Sequence, residues 1–341
     1  MSKQPLPKLE DVARLAGVST ATVSRCLNQP NQVIEATRKR VQKAVDELGY
    51  MPNFNARSLA AKRSKIIGAV IPTMENAIFA RALQVFQERL TEEDFDLLVA
   101  SSSYKKDVEE KQIRSLVSRG VDGLLLIGIK RDPKIYEFLQ EREIPFVIAW
   151  SFDEHMKAPV SGQLVGFNNY KAMASIVQLV LDKGHRNIAM LAGIADNNDR
   201  ASARIAGFKA KTAEYGLKDP IVLECEYDID KARKAFANLH QTLKTPTALI
   251  CANDVLAVGA VLEAQSQGLN VPDDISITGF DDIEIASIIS PSLTTVHVPH
   301  RMLGLHSANT LLANINAGRI VTDMELETSI IERQSLSNPK V

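Results

Sequence analysis

In the segment VSTATVSRCLN, residues 18–28, a single arginine stands among short hydroxyl-bearing side chains. Arg25 can offer two parallel donors to the O6 and N7 atoms of a guanine, and Ser19, Thr22 and Ser24 are short enough to reach phosphates or base edges. Only Val23 and Leu27, four apart, provide an apolar edge, and an ordinary surface helix would favour Glu, Lys and Gln instead. The segment reads as a helix that keeps one side, carrying Thr20, Ala21, Thr22, Ser24 and Arg25, free for a partner.

Such a helix must be held by neighbours. LEDVARLAGVS places Val12, Leu15 and Ala16 at helical spacing, with Glu10 and Asp11 in the first turn and Gly17 as the stop. Ser19 is placed to cap the helix that follows. In ATRKRVQKAVDELGY, Val41, Ala44, Val45 and Leu48 form the buried stripe of a third helix, and Gly49 ends it. Helix, tight turn, helix and supporting helix is the helix-turn-helix layout, which sets its second helix into a DNA major groove. Charge points the same way: residues 1–65 hold 12 Lys/Arg against 5 Asp/Glu, and the remainder 28 against 36, although the whole chain nets −1. The alternative is a small helical bundle for protein contacts, whose DNA affinity would not depend on Arg25.

DVARLAGVSTATVSRCLN and TRKRVQKAVDELGYMPNFNARSL resemble the DNA-binding headpiece of the LacI/GalR family of bacterial transcription regulators. The likeness is dense over about the first 60 positions and looser through the rest. Lys8 departs from it, standing where the family usually has a Ser or Thr cap, and so does Cys26, unusual in a recognition helix. Beyond Pro52, which ends the bundle, NFNARSLAAKRS could form a short helix capped by Asn55 with Ala56, Leu59 and Ala60 on one face, too short to stand alone in water. The resemblance implies a hinge helix that orders on operator DNA and inserts Leu59 between base pairs in the minor groove. The other reading of Leu59 is a linker residue packed on the core. Asn28, Asn55 and Arg57 complete the expected DNA-contacting set.

From Ile66 onward, continuous apolar runs alternate with helical stretches: KIIGAVIP, FDLLVAS, VDGLLLIG and PFVIAW, then HRNIAMLAG, PIVLECE, TALICAN and ISITGFD. Apolar strands separated by helices indicate parallel sheets covered on both faces, and two series indicate two doubly wound sheets in an α/β core. The expected division is a headpiece over 1–50, a hinge helix and linker over 51–64, and a core over 65–341. Within the core, one subdomain takes about 65–160 and 292–320, the other about 161–291 and 321–341. Ligands bind beyond the carboxyl ends of such strands, so two facing sheets make a cleft.

By resemblance this core is similar to periplasmic sugar-binding proteins and holds a small-molecule effector in that cleft. The likeness carries the site to Phe79, Trp150, Ser151, Asn168, Arg204, Tyr227, Asn253 and Asp281. Aromatic faces cover the apolar face of a small polar ring while Arg204, Asn253 and Asp281 fix its orientation. For each a structural role is the alternative: Asn253 and Asp281 as helix caps, Trp150 as core. Many relatives hold carboxylates at the positions of Trp150 and Asn168. With both uncharged here, and Arg200 beside Arg204, the expectation is a ligand with an anionic group, such as a sugar acid or sugar phosphate.

Catalytic signatures are missing from the sequence: GxGxxG after a strand, GxxxxGK[ST], GxSxG and HEXXH do not occur. A sugar-modifying enzyme fused to a DNA-binding domain would need an acid/base pair or nucleophile in the cleft. His297 and His300 lack an evident third metal ligand, and Cys26, Cys225 and Cys251 are too scattered for a zinc or disulfide framework. No cofactor is expected. No apolar run approaches the roughly 20 residues of a membrane span, and the start lacks the apolar core of a secretory signal. The expected address is the cytoplasm. One headpiece contacts too little DNA for strong selectivity, and the resemblance implies cores paired over a palindromic operator; the tail ELETSIIERQSLSNPKV, a strand without the leucine heptads of tetrameric relatives, leaves a homodimer as the expectation.

Overall fold

The computed structural model describes residues 6–51, 63–152, 162–242, 246–317 and 322–340. The chain forms two compact units, Met1–Lys65 and Ile66–Val341.

The first unit holds α1 (Leu9–Ala16), α2 (Thr20–Asn28), a single 3-10 turn (Pro30–Gln32) and α3 (Glu35–Leu48). Gly17 and Gly49 adopt left-handed φ values of 63° and 59°, closing α1 and α3 as a residue without Cβ can do freely. Ser19 Oγ accepts the Thr22 N–H at 3.1 Å and so caps α2. Lys8 has no oxygen to offer α1, but its own N–H donates to the Asp11 carboxylate at 3.0 Å, the reciprocal half of a capping box. The core is Val12, Ala13, Ala16, Val23, Cys26, Val41 and Ala44, with Val45 and Leu48 packed at its edge. One expectation needs correction and another an addition. Leu15 is 51% exposed and Ala13 takes its place, because the buried stripe of α1 runs one position round from the one read. Leu27 packs at the edge of this core as expected, and Cys26 joins Val23 as a buried anchor of α2, which accounts for a thiol in that helix.

The second unit contains two parallel sheets. In the first lobe β1 (Ile66–Ile71), β2 (Asp96–Ser101), β3 (Gly123–Ile127), β4 (Phe146–Ala149), β5 (Gly162–Gly166) and the short β11 (Met324–Glu325) run in the order β11-β5-β4-β3-β1-β2. In the second lobe β6 (Ile188–Gly193), β7 (Ile221–Cys225), β8 (Ala248–Cys251) and β9 (Ser276–Thr278) run in the order β7-β6-β8-β9. β10 (Thr295–His297) and β12 (Ser329–Ile331) pair antiparallel, and isolated bridges tie Thr294 to Thr278 and His297 to Asp281.

Helices α4 (Ala77–Thr91), α5 (Lys106–Ser118) and α6 (Pro133–Glu141) cover the first sheet, α7 (Asn169–Asp182), α8 (Asp199–Glu214), α9 (Ile229–Thr242), α10 (Asp254–Ser266) and the short α11 (Glu284–Ile288) the second. The last helix, α12 (His300–Ala317), returns to the first lobe and packs along α4. Gly304 permits that approach, since a Cβ there would collide with the Ala82 carbonyl.

The eight apolar runs are all strands, β3 and β4 buried at every position as a two-faced parallel sheet requires. The expected subdomain limits shift, however. β5 belongs to the first sheet, so the chain leaves that lobe after Gly166 and not near residue 161, and β11 also joins the first sheet by pairing with β5. Among the described residues the chain passes between lobes three times: after β5, between β10 and α12, and between β11 and β12.

Candidate functional site

On the first unit, Thr20, Ala21, Arg25 and Asn28 are exposed, while Ser19 is exposed at the cap and Thr22 and Ser24 are half-buried. The Ser19 and Thr22 hydroxyls lie 2.9 Å apart and Asn28 Nδ2 donates to Ser24 Oγ at 3.2 Å, so these four already share hydrogen bonds along the helix. Among the described residues the Arg25 guanidinium has no side-chain partner. Asn55, Arg57 and Leu59 lie outside the described residues.

In the second unit the ends of the strands face one another across a cleft. A cavity of about 20 Å³ at its floor is lined by Phe79, Trp150, Arg200, Arg204, Tyr227, Asn253 and Asp281, all expected from the sequence. Tyr104, Asn76, Ile78 and Asn198 line it too and were not expected. Tyr104 follows Ser103, both with left-handed φ, 59° and 50°, and this twist swings its ring to within 5.9 Å of Tyr227 on the other lobe. The signal for it in the sequence is thin: an aromatic just past an apolar run. Trp150 also has a left-handed φ, 67°, which costs about 1 kcal/mol or more in a non-glycine residue. The twist turns the indole against Phe79, with ring centres 5.3 Å apart, and leaves its buried Nε1 with no hydrogen-bond partner.

Arg204, 4% exposed, projects from α8. Its Nε donates to Asn169 Oδ1 at 2.9 Å, one terminal nitrogen donates to the Ala252 carbonyl at 2.5 Å, and the other lies 3.6 Å from Asp281 Oδ1. Its plane stacks 3.8 Å from the centre of the Phe280 ring. Asn169 in turn donates to the Trp150 carbonyl at 2.9 Å, so the arginine also braces the strand end that carries the indole. Arg200 is bonded to its neighbour Asp199 at 3.0 Å. Asp199 reaches the opposite lobe, accepting from Ser151 Oγ at 2.5 Å and from the Ile129 N–H at 3.0 Å. Burial pushes the Asp199 carboxyl up, but Arg200 and those donors prevail and hold it below the usual range. Gly128 sits where any Cβ would collide with Arg200 and Asp199, at a φ of 77° that favours glycine.

Ser151 and Asn168 are not on the cavity wall: Ser151 is engaged by Asp199, and Asn168 Oδ1 caps α7 through the Lys171 N–H at 3.0 Å. Asn253 both lines the cavity and caps α10, through the Leu256 N–H at 2.9 Å. His297 bonds Asp282 at 2.8 Å. His300 is driven down to about 3 by burial, so its neutral ring donates from Nε2 to the Asp281 carbonyl at 3.1 Å. No group of three or more metal-ligating side chains occurs among the described residues.

The arginines therefore do not make the cleft short of negative charge. Each is met by a carboxylate of the protein, and the wider chamber of about 670 Å³ above the floor is lined by Glu75, Asp196, Glu226 and Asp228 with no Lys or Arg. The chamber wall itself carries no positive charge for an anionic ligand, whereas a small adjoining pocket of about 30 Å³ is lined by Lys105, Lys106, Lys130 and Arg200 beside Glu109 and Asp199.

Two buried carboxyls give the core a pH dependence. Asp254, beneath the floor, accepts from Thr295 Oγ1 at 2.6 Å and the Ile283 N–H at 2.8 Å. Burial first, then the Asp281 charge, pushes it up to about 8, and burial pushes Asp281 up to about 6 against the pull of Arg204. Both exceed the ordinary 3.8, so between these values the folded core keeps protons that the unfolded chain has released. Their contribution is fully present below about pH 4 and is lost as pH rises through about 6 and about 8. We expect the urea midpoint of the protein to fall from about pH 5 to about pH 8, and Asp254→Asn to flatten the fall. An unchanged slope in the variant would rule Asp254 out as its source.

Comparison with known proteins places both units. The model of bacterial regulatory proteins of the lacI family matches residues 8–53, and that of periplasmic binding proteins and the sugar binding domain of the LacI family matches residues 64–332. The chain is 33% identical over 329 residues to the HTH-type transcriptional repressor PurR of Vibrio campbellii, covering 96% of this chain and 95% of that one. It is 31% identical over 308 residues to catabolite control protein A of Priestia megaterium, covering 90% and 92%. Among solved structures, the lac repressor dimer bound to operator and the anti-inducer ONPF superposes with a TM-score of 0.85 at 26% identity, covering 97% of this chain and 99% of that one.

Proposed function

Because the chain belongs to the LacI family of ligand-responsive, DNA-binding bacterial transcription regulators, we propose that it is a cytoplasmic homodimeric repressor of genes for carbohydrate uptake or breakdown. The observation that carries the reading is the cleft floor, where a buried donor, Trp150 Nε1, and a buried acceptor, Asp281 Oδ1, have no hydrogen-bond partner, Arg204 approaching the latter only to ion-pair distance, in a chain that also carries a helix-turn-helix unit. Buried polar groups are nearly always satisfied, so an unpaired donor and acceptor on one cavity wall call for a bound polar molecule.

In this reading Thr20, Ala21, Arg25 and Asn28 meet the major groove, Ser19, Thr22 and Ser24 fix register on the phosphates, and Asn55, Arg57 and Leu59 act in the minor groove. The effector lies between Phe79, Trp150, Tyr227, Asn253 and Asp281 and is released unchanged. Its affinity differs between two lobe angles, and that difference is the whole of its power over DNA binding.

Selection of duplexes from a random pool by the purified full chain tests the reading. The recovered fragments should share two half-sites related by two-fold symmetry. Recovery of a single unrepeated half-site would overturn the dimer, and recovery of no consensus would overturn the regulator.

A further inference from the structure

The chamber above the cleft floor is electrostatically one-sided. Glu75, on the loop after β1, belongs to the first lobe, while Asp196, Glu226 and Asp228, on loops after β6 and β7, belong to the second. None of the four makes an ion pair with a basic side chain among the described residues; Asp196 accepts only from Asn197 Nδ2, and Asp228 from the Lys231 N–H. Arg200 and Arg204 are committed to Asp199 and Asp281.

Closing the lobes would bring the carboxylate of the first lobe toward the three of the second across this chamber. Water screens that repulsion while it fills the chamber. A ligand that displaces the water lowers the local dielectric and enlarges both the cost of leaving the carboxylates unmatched and the gain from matching them. A neutral ligand leaves the four charges unmatched, and an acidic one adds to them.

The floor supplies an independent constraint. The cavity bearing Trp150 Nε1 and Asp281 Oδ1 shares Asn76, Tyr104, Asn198 and Tyr227 with the chamber, so one ligand can occupy both. At about 20 Å³ it admits a single water-sized group. A hydroxyl suits it, accepting from the indole N–H and donating to the carboxylate.

We propose that the effector is a carbohydrate carrying a protonated amine, with a hydroxyl seated between Trp150 and Asp281 and the ammonium among Glu75, Asp196, Glu226 and Asp228. The proposal rests on the reading of this cleft as the effector site. It also gives the ligand a means of acting: the ammonium is attracted by carboxylates of both lobes only when they are close, so it favours the closed arrangement over the open one.

Trp150 is the only tryptophan of the chain, so its fluorescence reports on the floor. The full chain is titrated with glucosamine, N-acetylglucosamine, glucose and glucose 6-phosphate, at low and at high salt. Glucosamine should bind about tenfold more tightly than its acetylated form, since several exposed pairs each contribute modestly, and the advantage should shrink in high salt. In the Asp196→Asn, Glu226→Gln double variant the preference should fall to about threefold or less, with glucose bound no more weakly than by the parent. These are exposed positions, and retention of the selected DNA by the unliganded variant checks its fold.

Equal or tighter binding of the acetylated or phosphorylated sugar, persistence of the preference in the variant, or no saturable change with glucosamine would each overturn the proposal. A neutral or phosphorylated sugar that binds and alters DNA retention would overturn the amine alone and leave the effector site standing; loss of every sugar response with DNA binding intact would remove both.

Discussion

Replacing Arg25 with alanine is expected to remove sequence preference from DNA binding while leaving the headpiece folded. The guanidinium is exposed on α2 and supports nothing in the core made by Val23, Cys26 and their neighbours, so the fold has no stake in it. A bidentate arginine–guanine pair is worth about 1–3 kcal/mol of discrimination, and a complex with two headpieces loses it twice. Fluorescence anisotropy with the selected duplex and a scrambled one should show the specific affinity collapsing toward the non-specific one, which phosphate contacts sustain. Undiminished preference in Arg25→Ala would return the first unit to the reading of a protein-contact bundle.

Replacing Arg204 with alanine should act in the opposite manner, on the fold first and the ligand second. The side chain makes hydrogen bonds to Asn169 and to the Ala252 carbonyl and an ion pair with Asp281, all within the buried floor. Removing one member of a buried charged pair usually costs about 3–5 kcal/mol, because the partner remains where water does not reach it. Asp281 can relieve part of this by taking up a proton, its carboxyl already being raised to about 6. The denaturant midpoint should therefore fall markedly, and fall further at pH 8 than at about pH 5. A variant as stable as the parent would mean that the arginine is held for the ligand alone.

What the sequence made legible is what local chemistry controls. Gly17, Gly49 and the Ser19 hydroxyl end and begin helices through their own backbone neighbourhoods, and apolar runs such as GLLLI leave little alternative to a buried strand. β5 escaped because GQLVG begins and ends in glycine and carries a glutamine, a poor strand by composition. It pairs because β4 and β11 flank it. The cavity residues could be reached by resemblance, since they sit at strand ends. Their charge state could not: Asp199 lies next to Arg200 in the chain, but Asp281 meets Arg204 only after β7, β8 and β9 have been laid down between them. Tyr104 escaped for a related reason, its direction being set by two successive left-handed residues that no composition rule anticipates.

The three passages between lobes are also joined to one another. Leu326 N–H donates to the Gly166 carbonyl at 2.7 Å, fastening the third passage to the first, and β12 pairs with β10, fastening the third to the second. A pair of plates held by one cord can swivel, slide and flap. Three cords laced together resist torsion and shear, so the lobes are left with a single easy motion, that of a book on its spine. Energy released at the page edges then enters that one swing before any other.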